Sequence, residues 1–159
     1  MSSRSRVPPV WLALVAAFTM FASADPDDAS APRFVPVEVY LESPEPVAAW
    51  QFEFADRAGA MKVVGIERGG HDAFPRAPYY DRDALASGTA PRIVVADYSL
   101  VLEAALPRGR FRLATLHLML EGEPDFELRL VTATTPGGVP IAASIALGDS
   151  PTEPRETEP

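Results

Sequence analysis

Apolar and polar residues alternate with period two along most of the chain between residues 35 and 147, the pattern of strands with one buried and one wet face. The strongest instance lies within 48–66. There Trp50, Phe52 and Phe54 alternate with Gln51 and Glu53, a short turn spans 56–59, and a second β-rich run follows over 61–66. Three aromatic side chains on one face bury roughly 150–250 Å² each, so this strand is predicted to nucleate the core. Ahead of it, Val35, Val37, Val39 and Leu41 face one way and Glu38 and Glu42 the other, with a proline-punctuated loop (43–47) between the two strands.

Further along, 92–97 reads as a strand and 98–106 as a second short strand or a continuation, although 100–106 also holds good helix formers. The longest β run, 111–120, slips in phase near Thr115. Phe111, Leu113 and Thr115 share one parity, and Leu116, Leu118 and Leu120 the other, as a β-bulge or burial on both faces would produce. Phe126, Leu128 and Leu130 alternate with Glu127 and Arg129 in a half-buried strand. Pro136, Gly137 and Gly138 turn the chain, and Ile141, Ala143, Ile145 and Leu147 give a last strand. Seven or eight short strands without a sustained helix predict an all-β fold, an antiparallel β-sandwich. One segment breaks the rhythm: 69–91 has three prolines, three glycines and no alternation beyond a possible helical turn at 83–87, and long connections of this kind are usually functional or disordered.

Composition places this domain within the 159 residues. Residues 1–24 carry Arg4 and Arg6, an apolar run over 10–22 and small residues before Asp25, the layout of a secretory signal peptide. The apolar run is shorter than the ~20 residues of a membrane span, so no stable membrane insertion is expected after cleavage. An acidic lead-in (25–32) and an acidic, proline-rich tail (149–159) are predicted to be disordered, leaving 33–148 as the domain. Cleavage would remove two of the 14 basic residues and leave 12 against 22 acidic ones, a formal charge of −10. That balance argues against nucleic acid and anionic membrane surfaces. Cysteine is absent, which excludes disulfides, thiolate zinc sites and thiol nucleophiles. The product is expected to be exported, extracellular or periplasmic.

The order of strand motifs resembles that of bacterial cohesin-like domains. The likeness runs through VPVEVYLES at 35–43, AAWQFEFAD at 48–56, VVGIERG at 63–69, RFRLATLHLML at 110–120 and GVPIAASI at 138–145. It implies a jelly-roll-type sandwich, so seven to nine strands are expected, and a role in binding a dockerin or another protein, with carbohydrate-binding modules as structural cousins. The sequence departs from the family pattern at 56–61, where Asp56 is followed by Arg-Ala-Gly-Ala-Met, and in the aromatic, proline-rich segment 69–91.

Catalytic constellations are missing. His71 and His117 are the only histidines, neither lies in a metalloprotease or nucleophile-elbow motif, and His117 sits between two leucines as a strand residue. Asp72, Asp81 and Asp83 could offer oxygens to Ca²⁺, but Arg82 between two of them and the lack of an EF-hand glycine weaken that reading, so no cofactor is expected. Phe74, Tyr79 and Tyr80, beside Pro75 and Pro78 and followed by Asp81, form the candidate binding cluster: rings on a proline-stiffened loop make low-entropy contact surface. The alternative is that these rings fold back and plug the end of the sandwich. The sequence thus points to an exported, non-catalytic binding module that recognises a protein, or else a carbohydrate-binding module that stacks Tyr79 and Tyr80 on a polysaccharide.

Overall fold

The computed structural model describes residues 31–87 and 92–148. The expected signal peptide (1–24), most of the expected disordered lead-in and the expected disordered tail (149–159) fall outside the described residues. Among the described residues eight strands form in chain order: β1 (Arg33–Ser43), β2 (Ala49–Asp56), β3 (Met61–Arg68), β4 (Tyr79–Tyr80), β5 (Arg92–Tyr98), β6 (Gly109–Leu120), β7 (Phe126–Thr134) and β8 (Ser144–Leu147). A short helix, α1 (Arg82–Ser87), precedes β5, and a 3-10 turn occupies Glu103–Ala105. The strands make two four-stranded sheets, β3-β6-β1-β8 and β4-β5-β2-β7, with antiparallel pairing throughout. This is the expected antiparallel β-sandwich.

The core is the one the alternation predicts. Trp50, Phe52 and Phe54 point inward from β2, and Val37, Val39 and Leu41 from β1. Trp50 stacks on Phe52 at 5.7 Å between centroids, and Phe54 meets Phe126 at 5.0 Å. The phase slip in β6 is a bulge. Val39 pairs with Ala114 and Tyr40 with Arg112, so Leu113 is the extra residue, and burial changes parity there. Leu113 and Leu116 both reach the core because the bulge resets the pleat between them.

Two polar details shape the edges. The Gly148 N–H donates to the Glu38 carbonyl (2.7 Å), so the backbone groups of Glu38 face β8. By alternation those of Pro36 face the same side, beyond the last residue that β8 pairs. A proline there loses no ladder bond and denies a donor to any strand that would add. The turn after β2 carries the chain from one sheet to the other. Asp56 is buried in it, its Oδ1 accepting the Ala58 (3.1 Å) and Asp125 (2.8 Å) N–H groups, which ties this turn to the β6–β7 connection.

Three expectations need correction. Segment 69–91 is not structureless: Tyr79 and Tyr80 add to β5 as β4, and Asp81 caps α1, its Oδ1 accepting the Asp83 N–H at 3.0 Å. Of the expected strand 98–106 only Tyr98 continues β5; after it the chain leaves the sheet and tightens into the 3-10 turn, which ends at the buried Leu106. The last strand is shorter than the alternation from Ile141 suggests. The Ile141 N–H donates to the Ala133 carbonyl (2.9 Å) beside β7, so the run first touches one sheet and then crosses to pair with β1 in the other.

Candidate functional site

Register places the outward residues of the β4-β5-β2-β7 sheet in rows. Tyr79 of β4 pairs with Ala96 of β5, which pairs with Gln51 of β2, opposite Thr132 of β7. One step beyond lie Tyr98 and Ala49; in the other direction come Val94, Glu53 and Arg129, then Arg92, Ala55 and Glu127. A bulge at Val131, between the pairs Gln51–Thr132 and Phe52–Leu130, leaves that valine exposed on the same side. Ala96, Gln51 and Thr132 thus occupy the centre of the face, with rings at one end and charges at the other.

At the aromatic end Tyr79 and Tyr98 stack with centroids 6.0 Å apart and planes 7° from parallel. Both are exposed, at 56% and 52%. Hydrogen bonding to Tyr98 is the chief cause that lifts the Tyr79 hydroxyl above the ordinary phenol pKa. The chain leaving Tyr98 carries Leu100 and Leu102, 90% and 84% exposed. Asp97, next to Tyr98, is held above the usual carboxylate range, first by burial, against the opposing effects of the Tyr98 N–H, donated to its Oδ1 at 2.8 Å, and of Arg76.

At the charged end Glu53 lies between two arginines: Arg129 donates to one carboxylate oxygen at 2.7 Å and Arg92 to the other at 3.3 Å. Those bonds, Arg129's first, pull the Glu53 pKa down. Arg57 pairs with Glu127 at 2.9 Å alongside. The outer face of the opposite sheet is built differently. Glu38 accepts from Tyr40 (2.7 Å) and from Arg112, Arg110 lies 4.5 Å over the Tyr40 ring, and Gly148 closes over Tyr40 and Glu38. The Tyr40 bond is the main cause of a lowered Glu38 pKa. The Arg112 Nε, buried beneath this network, finds no hydrogen-bond partner among the described residues.

The candidate residues read from the sequence separate. Phe74 is a correction: it is buried, edge-on to Trp50 at 6.0 Å and parallel to Phe111 at 6.4 Å, because the turn closed by the Phe74 N–H on the His71 carbonyl (3.0 Å) swings it into the apolar end of the sandwich. Tyr80 points inward, half-buried against the core, and lines an open cavity of ≈ 610 Å³ with Lys62, Val64, Arg82 and Leu85. Tyr79 is the member of the cluster that faces out on the sheet. Asp72, Asp81 and Asp83 are exposed, and no group of three or more metal-ligating side chains is gathered among the described residues. His71 Nδ1 accepts the Ala73 N–H at 3.1 Å, and His117 Nε2 lies 3.2 Å from Glu67, both on the β3-β6-β1-β8 sheet. Sequence reasoning missed Tyr98, Leu100, Leu102 and the arginines around Glu53. The alternation of Val94, Ala96 and Tyr98 against Ile93 and Val95 was the signal for an outward Tyr98.

No family model matches the sequence, and a search of curated proteins gives no match. The structure is similar to a chain of a type I cohesin–dockerin complex from Clostridium thermocellum, at 11% identity over 71% of this chain and 82% of that one, with a TM-score of 0.49. At that level no residue of this chain inherits a role from it.

Proposed function

We propose that this protein is an exported, non-catalytic module of cohesin-like type that recognises another protein, dockerin-like or otherwise, through the outer face of the β4-β5-β2-β7 sheet. The observation that carries the reading is the exposed Tyr79–Tyr98 stack, continuous along the chain with the exposed Leu100 and Leu102. Leaving such surface in water costs about 25 cal/mol per Å², and apolar groups gathered in this way mark interaction sites. Tyrosine is favoured at the energetic centres of interfaces, and two rings already stacked and hydrogen-bonded lose little further freedom when a partner arrives. The short Ala96 side chain between them and the arginines allows close approach of a partner's backbone. Export rests on the layout of residues 1–24.

The test begins with proteins retained by the immobilised chain from the source organism's exported fraction. Each is purified and titrated against the wild type and against Tyr79→Ala/Tyr98→Ala. Saturable binding by the wild type and loss in the double variant support the reading; retention by both forms alike contradicts it. The near-parallel exposed rings also suit a sugar face, so polysaccharide retention is measured in parallel, and glycan binding without protein binding would replace this reading with the carbohydrate one.

A further inference from the structure

The charged end of the docking face has a chemistry that the fold does not use up. Glu53 is nearly covered, its side chain 18% exposed, whereas Arg92 and Arg129, which grip it from either side, are 62% and 60% exposed. What meets solvent there is guanidinium, and the carboxylate lies beneath. Each guanidinium carries five N–H donors. Arg92 spends one on Glu53 Oε1 and Arg129 one on Glu53 Oε2, and Arg57, in the next row, gives its Nε–H to Glu127. Two planar forks thus hold one half-buried carboxylate between them, β5 and β7 flanking β2, with donors left over on two side chains that are mostly exposed. The backbones of β5 and β7 are separated by the width of β2, but the two forks converge on the oxygens of one carboxylate and so lie side by side. The Arg92 row lies four residues along β5 from the Ala96 row that carries Tyr79, about 13 Å at strand rise.

Resting on the proposed docking face, we infer that the partner is acidic: a protein segment that seats an apolar or aromatic side chain on Tyr79 and Tyr98 and presents carboxylates to Arg129 and Arg92, whose rows lie two and four residues along the strands from that of Tyr79, about 7 and 13 Å at strand rise. Arginine forks match carboxylates in paired geometry and are already oriented by Glu53. A chain with 22 acidic and 14 basic residues repels an acidic partner over most of its surface. An exposed guanidinium pair therefore fixes where such a partner can land and in which direction.

The experiment uses the full chain, biotinylated at its C-terminus, to select from a phage library of random sixteen-residue peptides. Recovered peptides are synthesised and titrated against the wild type, against Arg92→Glu/Arg129→Glu, and against Tyr79→Ala/Tyr98→Ala. Arg92→Gln/Arg129→Gln is added because reversal crowds Glu53. The expected result is enrichment of sequences with Asp or Glu separated from an aromatic or leucine, with affinity reduced tenfold or more by either arginine double variant and falling as salt rises. Enrichment of neutral or basic peptides, or of acidic ones that bind the arginine variants equally well, overturns the inference. Peptides lost only with the tyrosines leave the docking face standing without its acid preference. Peptides that bind every form alike, or a selection that enriches nothing, contradict both. Sedimentation of the chain alone and titration with alginate complete the test. A dimer abolished by Arg92→Glu/Arg129→Glu would assign the carboxylates to a second copy, and tighter binding of alginate than of any peptide would assign them to a polysaccharide; either overturns the acidic protein partner.

Discussion

Gly69 lies so close to β6 that a Cβ on it would fall 1.9 Å from the carbonyl oxygen of Arg112. That contact sits beside the Leu113 bulge and clamps the start of the segment that runs to Tyr79. Gly69→Ala must push two backbones apart, and the expected loss is about 2–3 kcal/mol, at the upper end for overpacking. At the neighbouring Gly70 a Cβ would meet nothing within 4 Å. Gly70→Ala should leave the urea midpoint almost unchanged, and equal midpoints for the two variants would show that Gly69 is not clamped.

Phe52 and Phe74 should behave alike although one lies in a strand and the other in a connection. Phe52 is fully buried, and Phe74 is enclosed by Trp50 and Phe111. Replacing either with alanine is expected to cost about 3–5 kcal/mol, a severe loss for a chain without disulfides. Denaturant unfolding measures both, and a Phe74→Ala protein as stable as the wild type would mean that the ring is not a plug.

Periodicity is local, and what it governs was readable: the inward faces of β1, β2 and β7, and the slip in β6 that became a bulge at Leu113. The candidate site depends on sheet order, which is not local. Tyr79 meets Tyr98 because β4 pairs with β5, and Arg92 meets Arg129 over Glu53 because β2 lies between β5 and β7. Nothing in the composition of 69–91 separates Phe74 from Tyr79. The difference comes from the turn at His71, which directs one ring inward, and from the pairing with Ala96, which holds the other outside.

Asp97 gives the protein a pH dependence opposite in sign to that of its paired glutamates. Burial raises its pKa, so the native state holds the proton more tightly than the unfolded chain, and stability falls as pH climbs from the ordinary aspartate value of about 3.9 through the native one. Glu38 and Glu53, with lowered values, contribute stability above about pH 4.3 that is lost on acidification. Asp97→Asn keeps an oxygen for the Tyr98 N–H and removes the charge. Its melting temperature should exceed the wild type's at pH 7 and converge with it below about pH 3.9. A variant less stable than the wild type at pH 7 would show that the charged form is the favoured one.

The outward Tyr79–Tyr98 stack is the centre of the functional reading, and a variant lacking both rings tests it most directly. In calorimetric titration with the partner recovered by the wild type, Tyr79→Ala/Tyr98→Ala should bind about a hundredfold more weakly or worse, as loss of interface hot spots does. Its melting temperature should stay within a few degrees of the wild type's, because neither ring is buried. Unchanged affinity, or a melting temperature lowered as far as that of Phe74→Ala, would contradict the account.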